Sequence, residues 1–471
     1  MRATITPGPL SATLLLPALL LGLFGCGDDS GDTEGGLTEQ ATASTSAESS
    51  SAGPSVTDGM TGMTGMTAGM TSTGSSSSSG TSSTGSATSD ADTDATETSA
   101  TDTSATSTTA SSETDGTETD GTDTELEGPP LLDIKVEDQH ACAVDADGLV
   151  YCWGSNTLSQ LALPEDEQER LTPTWVEPVE NVVEVAVGAG FTLALTGEGQ
   201  VYCWGRGSMC AKGKQAPNVV EPELIEGLEG IETIEAGRIN ACGLRSDGEL
   251  MCWGENGNGQ VPDPSFVETP TLVDGLSAVA GMTVGDAHRC VFLEAGGVFC
   301  WGYGQAGRLG TGNEGDQAQP AAVSGLGAAD DVELIAAGGT SSCASVAGEG
   351  LCWGGGKVGN GEFKPAIVSG LLDARRVAIG WSTACTLLGD QHALRCWGTN
   401  LHGTLGTGDE ESSDALVTPV GLERADFVDV GGRTSCAIDG DALFCWGQNG
   451  EGVVGDGTKI DRLVPTQVFL P

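Results

Sequence analysis

Basic residues are scarce in this sequence of 471 residues. It has 19 Lys and Arg against 67 Asp and Glu, and residues 27–130 contain no Lys, no Arg and no aromatic residue. Such an excess of negative charge repels nucleic-acid phosphates, so nucleic-acid binding is not expected. Residues 27–130 consist mainly of Ser, Thr, Gly and Ala with 19 acidic side chains, too little apolar surface to fold. We interpret this segment as a disordered stalk.

Long hydrophobic runs are also lacking. The apolar run from Leu10 to Phe24 has 15 residues, which is short for a membrane-spanning helix. It ends in Leu23-Phe24-Gly25-Cys26, an order that resembles the bacterial lipobox, whose Cys becomes the lipid-bearing first residue. We therefore predict a signal peptide at 1–26, lipidation of Cys26 and anchoring in the cell envelope. An outer-membrane lipoprotein, exposed to the periplasm or the cell surface, is expected because Gly27 rather than Asp follows. The alternative is a secreted protein cut near the same place.

A Cys-Trp-Gly triplet recurs through the rest of the chain. It begins at residues 152, 203, 252, 300, 352, 396 and 445, so that successive copies lie 44–52 residues apart. This period is typical of β-propellers. Each period contains alternating stretches for four short strands, one of them marked by Pro-x-x-Val or Pro-x-x-Ile. The sequence predicts an all-β, seven-bladed β-propeller over residues 131–471.

The two ends of this domain suggest how the ring closes. Leu131 to Val136 starts without a preceding Pro-x-x-Val strand, and the chain ends in Pro465 to Leu470 with no repeat after it. We expect the C-terminal strand to complete the N-terminal blade, which would leave no sheet edge open.

The chain has fifteen Cys, an odd number that lipidation of Cys26 would make even. A second Cys precedes the triplet by 9–11 residues in six repeats, across a segment that reads as a hairpin, whereas the second repeat has Leu193 there. Zinc knuckles separate their Cys by about two to four residues, so disulfides are favoured over metal binding. The predicted pairs are Cys142–Cys152, Cys203–Cys210, Cys242–Cys252, Cys290–Cys300, Cys343–Cys352, Cys385–Cys396 and Cys436–Cys445. Such pairs suit a protein folded outside the reducing cytosol.

The full repeat reads G-x-x-x-x-C-A-L/V-x-x-x-G-x-V-x-C-W-G-x-N-x-x-G-x-L, as in Gly237 to Gly259 and Gly380 to Leu405. This pattern resembles the repeats of the regulator of chromosome condensation family over nearly all of 131–471. The matching residues are His140 and His288 before the third strand, and Asn156, Asn256, Asn400 and Asn449 after Trp-Gly. The resemblance implies a seven-bladed propeller.

This chain departs from the nuclear members of that family in three ways. It has hairpin Cys pairs and an export signal, and its motif spacings leave no room for the wing with which the eukaryotic founder engages its small GTPase. Guanine nucleotide exchange and chromatin binding are therefore not expected. In these features the chain is more similar to exported bacterial propellers, including the secreted β-lactamase inhibitor proteins.

Residues that break the repeat are the candidates for binding. Three aromatic residues have no counterpart in other repeats, and the second repeat carries a basic loop in an acidic domain. These candidate binding residues are Trp175, Tyr303 and Trp381, with Arg206, Lys212 and Lys214. A local packing variation would explain each aromatic residue equally well. The seven triplet Trp residues follow the period, so we predict that they form the core.

No catalytic constellation stands out from the repeat. His140 and His288 share one repeat position, which favours a structural role for both. We expect a non-enzymatic monomer that binds a protein or a surface glycan, needs no cofactor or metal, and touches the membrane only through its lipid. Two alternatives stay open: a hydrolase or lyase acting on polysaccharide, and an inhibitor of a secreted enzyme.

Overall fold

The computed structural model describes residues 129–164, 167–255 and 266–471. The predicted signal peptide 1–26 with Cys26, all but the last two residues of the predicted stalk 27–130, and Asn256 lie outside these ranges. In the described part of the chain, 28 strands form seven four-stranded antiparallel sheets. The predicted seven-bladed β-propeller is confirmed.

The blades are numbered in chain order, and each uses four consecutive strands. Blades 1 to 3 contain β1 (Leu131–Val136), β2 (His140–Asp145), β3 (Val150–Ser155) and β4 (Glu169–Trp175); β5 (Val182–Gly188), β6 (Phe191–Thr196), β7 (Val201–Gly205) and β8 (Val219–Leu224); and β9 (Ile231–Ala236), β10 (Asn240–Arg245), β11 (Leu250–Glu255) and β12 (Phe266–Leu272). Blades 4 and 5 contain β13 (Val279–Val284), β14 (His288–Leu293), β15 (Val298–Gly302) and β16 (Gln317–Ala322); and β17 (Val332–Ala337), β18 (Ser341–Val346), β19 (Glu349–Gly354) and β20 (Glu362–Leu372). Blades 6 and 7 contain β21 (Ala374–Ile379), β22 (Thr383–Leu388), β23 (Ala393–Gly398) and β24 (Ser413–Val417); and β25 (Phe427–Gly431), β26 (Thr434–Asp439), β27 (Ala442–Gly447) and β28 (Arg462–Val468). The helical segments in residues 129–164, 167–255 and 266–471 are the short helix α1 (Gly356–Gly359) and the 3-10 turns Gln305–Gly307 and Leu401–Gly403.

Within each blade the first strand faces the ring axis and the fourth forms the outer edge, because the first strands of successive blades pack on one another around the axis. This arrangement gives the ring two faces. We call the loop face the side with the segments between first and second strands and between third and fourth strands. The turn face is the opposite side, with the second-to-third hairpin turns and the links between blades.

The predicted closure of the ring is wrong in its strand assignment. The Pro-x-x-Val strand is the outer strand of its own blade, so blade 1 is already complete with β4, and the C-terminal β28 pairs with β27 in blade 7. The ring closes through contacts between blades instead. Val136 N donates to Oδ2 of Asp429 at 2.9 Å, and Gly457 N donates to the carbonyl oxygen of Leu171 at 2.9 Å.

The seven disulfides of the structure are the seven pairs predicted from the sequence. In six blades the two Cys face each other in register across the second-to-third hairpin, as Cys142 does with Cys152. In blade 2, Leu193 faces Cys203, and Cys203 bonds to Cys210 in the loop that follows. Seven disulfides indicate a protein that folds in an oxidising environment.

The seven triplet Trp residues are buried between blades, as predicted. Between described residues, five of them donate their indole N–H to a backbone carbonyl in a loop-face segment of the preceding blade. The pairs are Trp153 with Val453, Trp204 with Gln160, Trp253 with Met209, Trp353 with Arg308, and Trp446 with Thr404, at 2.6–2.9 Å. Each of these Trp side chains therefore fastens a loop of the neighbouring blade to the core.

The repeat Asn residues stabilise the same segments by hydrogen bonds to backbone groups of the loop in which each Asn lies. Nδ2 of Asn400 donates to the carbonyl oxygen of Asp409 at 2.9 Å, and its Oδ1 accepts from Leu405 N at 2.7 Å. Asn156 and Asn449 make equivalent bonds in blades 1 and 7. In the described ranges, no helix is both long and apolar enough to span a membrane.

Candidate binding site at the centre of the loop face

A cavity of about 240 Å³ lies on the ring axis, enclosed by residues from all seven blades. Unlike the core between the blades, it is lined by charged side chains. These include Lys135 and Glu137 of blade 1, Glu235 and Arg238 of blade 3, Asp286 of blade 4, Arg376 of blade 6 and Asp429 of blade 7. The ring axis is therefore the place where charges from distant parts of the chain meet.

Part of this charge has a structural role, since a first strand has a free edge toward its neighbour and its backbone N–H groups need acceptors. Side chains of the adjacent blade supply them. Asp133 Oδ2 accepts from Val185 N at 3.1 Å, Glu184 Oε2 from Ile234 N at 3.3 Å, Thr283 Oγ1 from Ala337 N at 3.0 Å, and Asp429 Oδ2 from Val136 N at 2.9 Å. These contacts link the blades around the cavity.

The turn after each first strand is crowded at the axis. Six blades have glycine directly before this turn, at Gly188, Gly237, Gly285, Gly338, Gly380 and Gly431. A Cβ added to Gly237 would lie 2.2 Å from the carbonyl oxygen of Gly285 in the next blade. Blade 1 has Glu137 at this position, and its side chain lines the cavity. One carboxylate thus stands where the repeat otherwise has no side chain.

Beside Glu137, the same turns bring together charged and aromatic residues from four other blades. We call Glu137, Asp138, Arg238, Asp286, Trp381 and Arg433 the mouth cluster. The guanidinium carbons of Arg238 and Arg433 lie 5.9 and 4.8 Å from the centre of the Trp381 ring, within cation–π range. Trp381 N also donates to the carbonyl oxygen of Gly432 at 3.2 Å, which fixes its turn against blade 7.

The carboxyl groups of the mouth cluster are in an unfavourable environment for their charge. Burial raises the pKa of Glu137 well above its usual range, and the charges of Asp286 and Asp138 raise it further, against the opposing effect of Arg238. Burial and the charge of Asp286 likewise raise the pKa of Asp138 to about 6. The pKa of Asp286 is raised by burial, with Arg238 and Arg308 acting in the opposite direction. The nearby guanidinium groups therefore do not neutralise these carboxylates fully.

Tyr303 lies on the loop face beside this cluster. The guanidinium carbon of Arg308 lies 4.9 Å from the Tyr303 ring centre, and Nη1 of Arg308 donates to the carbonyl oxygen of Gly339 at 2.6 Å. Arg308 also acts electrostatically on Asp286. Tyr303 and Trp381, two of the sequence candidates, are thus connected to one charged region through their arginine neighbours.

The other candidate residues lie elsewhere. Trp175 is 45% exposed at the end of the outer strand β4, toward the turn face. The basic loop of blade 2 lies on the outer part of the loop face, where Lys212 pairs with Glu223 at 2.7 Å and Lys214 lies 5.8 Å from the Phe266 ring centre. Arg206 follows β7 directly. The six candidates therefore do not form a single site.

His140 and His288 have equivalent structural contacts. Nε2 of His140 lies 2.8 Å from Oγ1 of Thr192, and Nε2 of His288 lies 2.8 Å from Oγ of Ser342, each in the next blade. Burial lowers the pKa of both imidazoles to about 3, so both are neutral at physiological pH.

Within the described ranges, no group of three or more His, Cys, Asp or Glu has an arrangement that could hold a metal ion.

Most residues of the mouth cluster are not among the binding residues predicted from the sequence. Trp381 is the exception, because it is an aromatic residue without counterparts in other repeats. Glu137 carried a signal of the same kind, since it replaces the glycine of six other repeats. Asp138, Arg238 and Asp286 occupy the same repeat position as Trp381, so aligning the seven turns would have found them.

Comparison with known proteins supports the repeat assignment. A family model for the regulator of chromosome condensation (RCC1) repeat matches residues 147–195 and 295–345, and a second model of the same description matches 182–209 and 231–260. Protein RCC1 of Candida albicans is 40% identical over 80 residues, which cover 15% of this chain and 17% of that protein. The alignment spans only this small part of the relative's length.

Two solved structures share the fold. Human WBSCR16 has a TM-score of 0.62 at 21% identity, covering 69% of this chain and 94% of that one. Prp20p of Saccharomyces cerevisiae, described with its binding to Gsp1p and histones, has a TM-score of 0.61 at 22% identity, covering 73% and 86%. The matched repeats lead to one conclusion: this chain is an RCC1-repeat protein.

Proposed function

We propose that this protein is a non-enzymatic, envelope-anchored interaction module whose propeller binds a protein partner through the mouth cluster. The RCC1-like propeller fold itself suggests a protein-interaction module. The observation that carries the proposal is Trp381 between two arginines at the centre of the loop face. Trp, Tyr and Arg are the residues that most often dominate the binding energy of protein interfaces.

The position of the mouth cluster also supports binding. The loop-face segments around it are fastened by buried Trp and Asn side chains, so little conformational entropy is lost when a partner binds. Its charges of both signs come from turns that the repeat does not require to be charged. A rigid surface with mixed charge can discriminate between partners.

The matched pair Trp381→Ala and Trp175→Ala tests the site. The full chain, tagged at its C-terminus, is used to capture proteins from envelope and extracellular fractions, and the captured proteins are identified by mass spectrometry. We expect one protein whose recovery falls about tenfold or more with Trp381→Ala and is unchanged with Trp175→Ala. Both variants must keep the melting temperature of the original protein.

Other outcomes would favour the alternatives. If Trp381→Ala leaves the captured set unchanged, the mouth cluster is not the binding site. Turnover of a polysaccharide panel without any captured protein would favour the hydrolase or lyase, and capture of an enzyme whose activity is blocked would favour the inhibitor.

The anchor rests on the lipobox-like segment before Cys26, and an exported protein agrees with the seven disulfides. With Cys26→Ser, we expect the protein to move from the membrane fraction to the soluble fraction. An unchanged membrane fraction would rule out this anchor.

A further inference from the structure

The cavity is lined by four carboxylates, Glu137, Glu235, Asp286 and Asp429, and by four cations, Lys135, Arg238, Arg375 and Arg376, but the cations are engaged by other groups. Lys135 pairs with Glu235 at 3.5 Å, and its ammonium is therefore occupied. Arg376 Nε donates to the carbonyl oxygen of Val428 at 2.7 Å, and its guanidinium carbon lies 3.5 Å from the centre of the Phe427 ring. The charged groups of Lys135 and Arg376 therefore contact residues around the wall of the cavity and not the mouth cluster.

The cations of the mouth cluster are also engaged, since Arg238 and Arg433 both lie over the Trp381 ring. Among the described residues, the buried Oε1 atom of Glu137 has no hydrogen-bond partner. A buried carboxylate oxygen without a partner is costly, and Glu137 stands at a position where glycine would remove that cost. The side chain lines the cavity, so its free oxygen is placed to accept a hydrogen bond from a group that enters there.

We propose that the mouth cluster binds the ammonium group of a lysine side chain of the partner protein, which enters the cavity between Glu137 and Asp286. This inference rests on the proposed function and names the group that the partner inserts. An ammonium is a compact charge whose three donors can reach carboxylates on several sides, whereas a planar guanidinium matches a single carboxylate. Glu137, Asp138 and Asp286 come from two blades and provide such a divided set of acceptors.

The raised pKa values of these carboxyl groups agree with a missing cation. Burial and mutual repulsion favour their protonated forms in the free protein, and a bound ammonium would favour the charged forms. Arg238 and Arg433 lie against the Trp381 ring, and together with Arg308 they offset the raised pKa values of these carboxyl groups only in part.

The test uses the full chain and a defined probe, the peptide N-acetyl-Gly-Lys-Gly-amide, in isothermal titration at neutral pH. The same peptide with ε-acetylated lysine is the matched control, because it keeps the length but lacks the charge. We expect saturable binding of the lysine peptide only. Glu137→Gln and Asp286→Asn should each weaken it about tenfold or more, as expected for loss of a charge-assisted hydrogen bond.

Two further variants keep the test decisive. Glu137→Gly introduces the residue that the other six blades have, so it should fold even if Glu137→Gln does not, and it should also lose the peptide. Asp247→Asn, in a hairpin turn on the turn face, should bind as the original protein does. Equal binding of both peptides, or unchanged binding by Glu137→Gly, would overturn the lysine assignment. Failure of this titration while Trp381→Ala still abolishes partner capture would leave the proposed function standing and remove only the lysine.

Discussion

The loop face and the turn face are built from different kinds of segment. On the loop face, long segments such as 303–316, 399–412 and 448–461 join third and fourth strands, and buried side chains hold them. On the turn face, the connections are mostly tight hairpin turns and short links between blades. Most of the irregular backbone of the propeller, and the contacts that hold it in place, therefore lie on the loop face.

The two faces also differ in charge. In the turn-face segments every connection except 347–348 carries an Asp or Glu, and the single Lys or Arg is Arg424. The loop-face segments contain Arg206, Lys212, Lys214, Arg238, Arg308, Lys357, Arg433 and Lys459 among their acids. Uniform negative charge suits solubility, whereas mixed charge on fixed segments suits selective binding. Specific binding is therefore expected on the loop face rather than on the turn face.

The largest effect on stability should come from removing the hydrogen bond between a core Trp and a loop-face segment. Trp446 donates to the carbonyl oxygen of Thr404 at 2.9 Å, whereas the buried Nε1 of Trp397 has no partner among the described residues. Trp446→Phe should lower the free energy of unfolding by about 2–4 kcal/mol. The loss caused by Trp397→Phe should be smaller by roughly 1–3 kcal/mol, because removing the Trp397 indole N–H leaves no carbonyl oxygen unpaired. Urea unfolding with intact disulfides measures both. Equal losses would show that these hydrogen bonds do not stabilise the loop face.

The next effect concerns a buried neutral imidazole at the loop-face end of a second strand. Burial lowers the pKa of His288 to about 3, so below its ordinary value of 6.5 the unfolded chain binds a proton that the folded chain does not. Stability is therefore lost as the pH falls. Blade 3 has Asn240 at the position equivalent to His288. The substitution His288→Asn should therefore remove this dependence of stability on pH.

Between pH 7 and pH 4.5, the free energy of unfolding of the original protein should fall by about 2–3 kcal/mol relative to His288→Asn. Denaturant unfolding of both proteins at the two pH values gives this difference. The carboxyl groups with raised pKa values are present in both proteins, so their opposite pH effect cancels. A difference that does not change with pH would contradict a neutral buried His288.

The smallest effect compares one polar side chain from each face. Asn400 is fully buried and bonds Leu405 N and the carbonyl oxygen of Asp409. Asp247 accepts from Glu249 N at 3.1 Å in an exposed hairpin turn. Asn400→Ala should cost about 2 kcal/mol and Asp247→Ala within about 0.5 kcal/mol. Thermal melting of the two variants checks this, and a cost at Asp247 equal to that at Asn400 would remove the contrast between the faces.

Much of the fold could be predicted because its signals are local. The period of Cys-Trp-Gly defines seven units, and six Cys pairs are separated by a single hairpin, whose register brings the two residues opposite each other. The Cys203–Cys210 pair could also be predicted, since Leu193 left Cys203 without its usual partner. Two of the candidate aromatics, Tyr303 and Trp381, lie in the charged region of the loop face, whereas Trp175, which also breaks the repeat, lies toward the turn face.

By itself, the sequence determined the number of blades, the hairpins and the cysteine pairs, because each depends on residues within one repeat. Only the tertiary structure decided that β28 belongs to blade 7, since a Pro-x-x-Val strand can pair either within its own blade or with the next one. It also decided that Glu137, Arg238 and Trp381 meet at the axis. Ring closure brings together turns that lie more than a hundred residues apart in the chain, and no local pattern records that proximity.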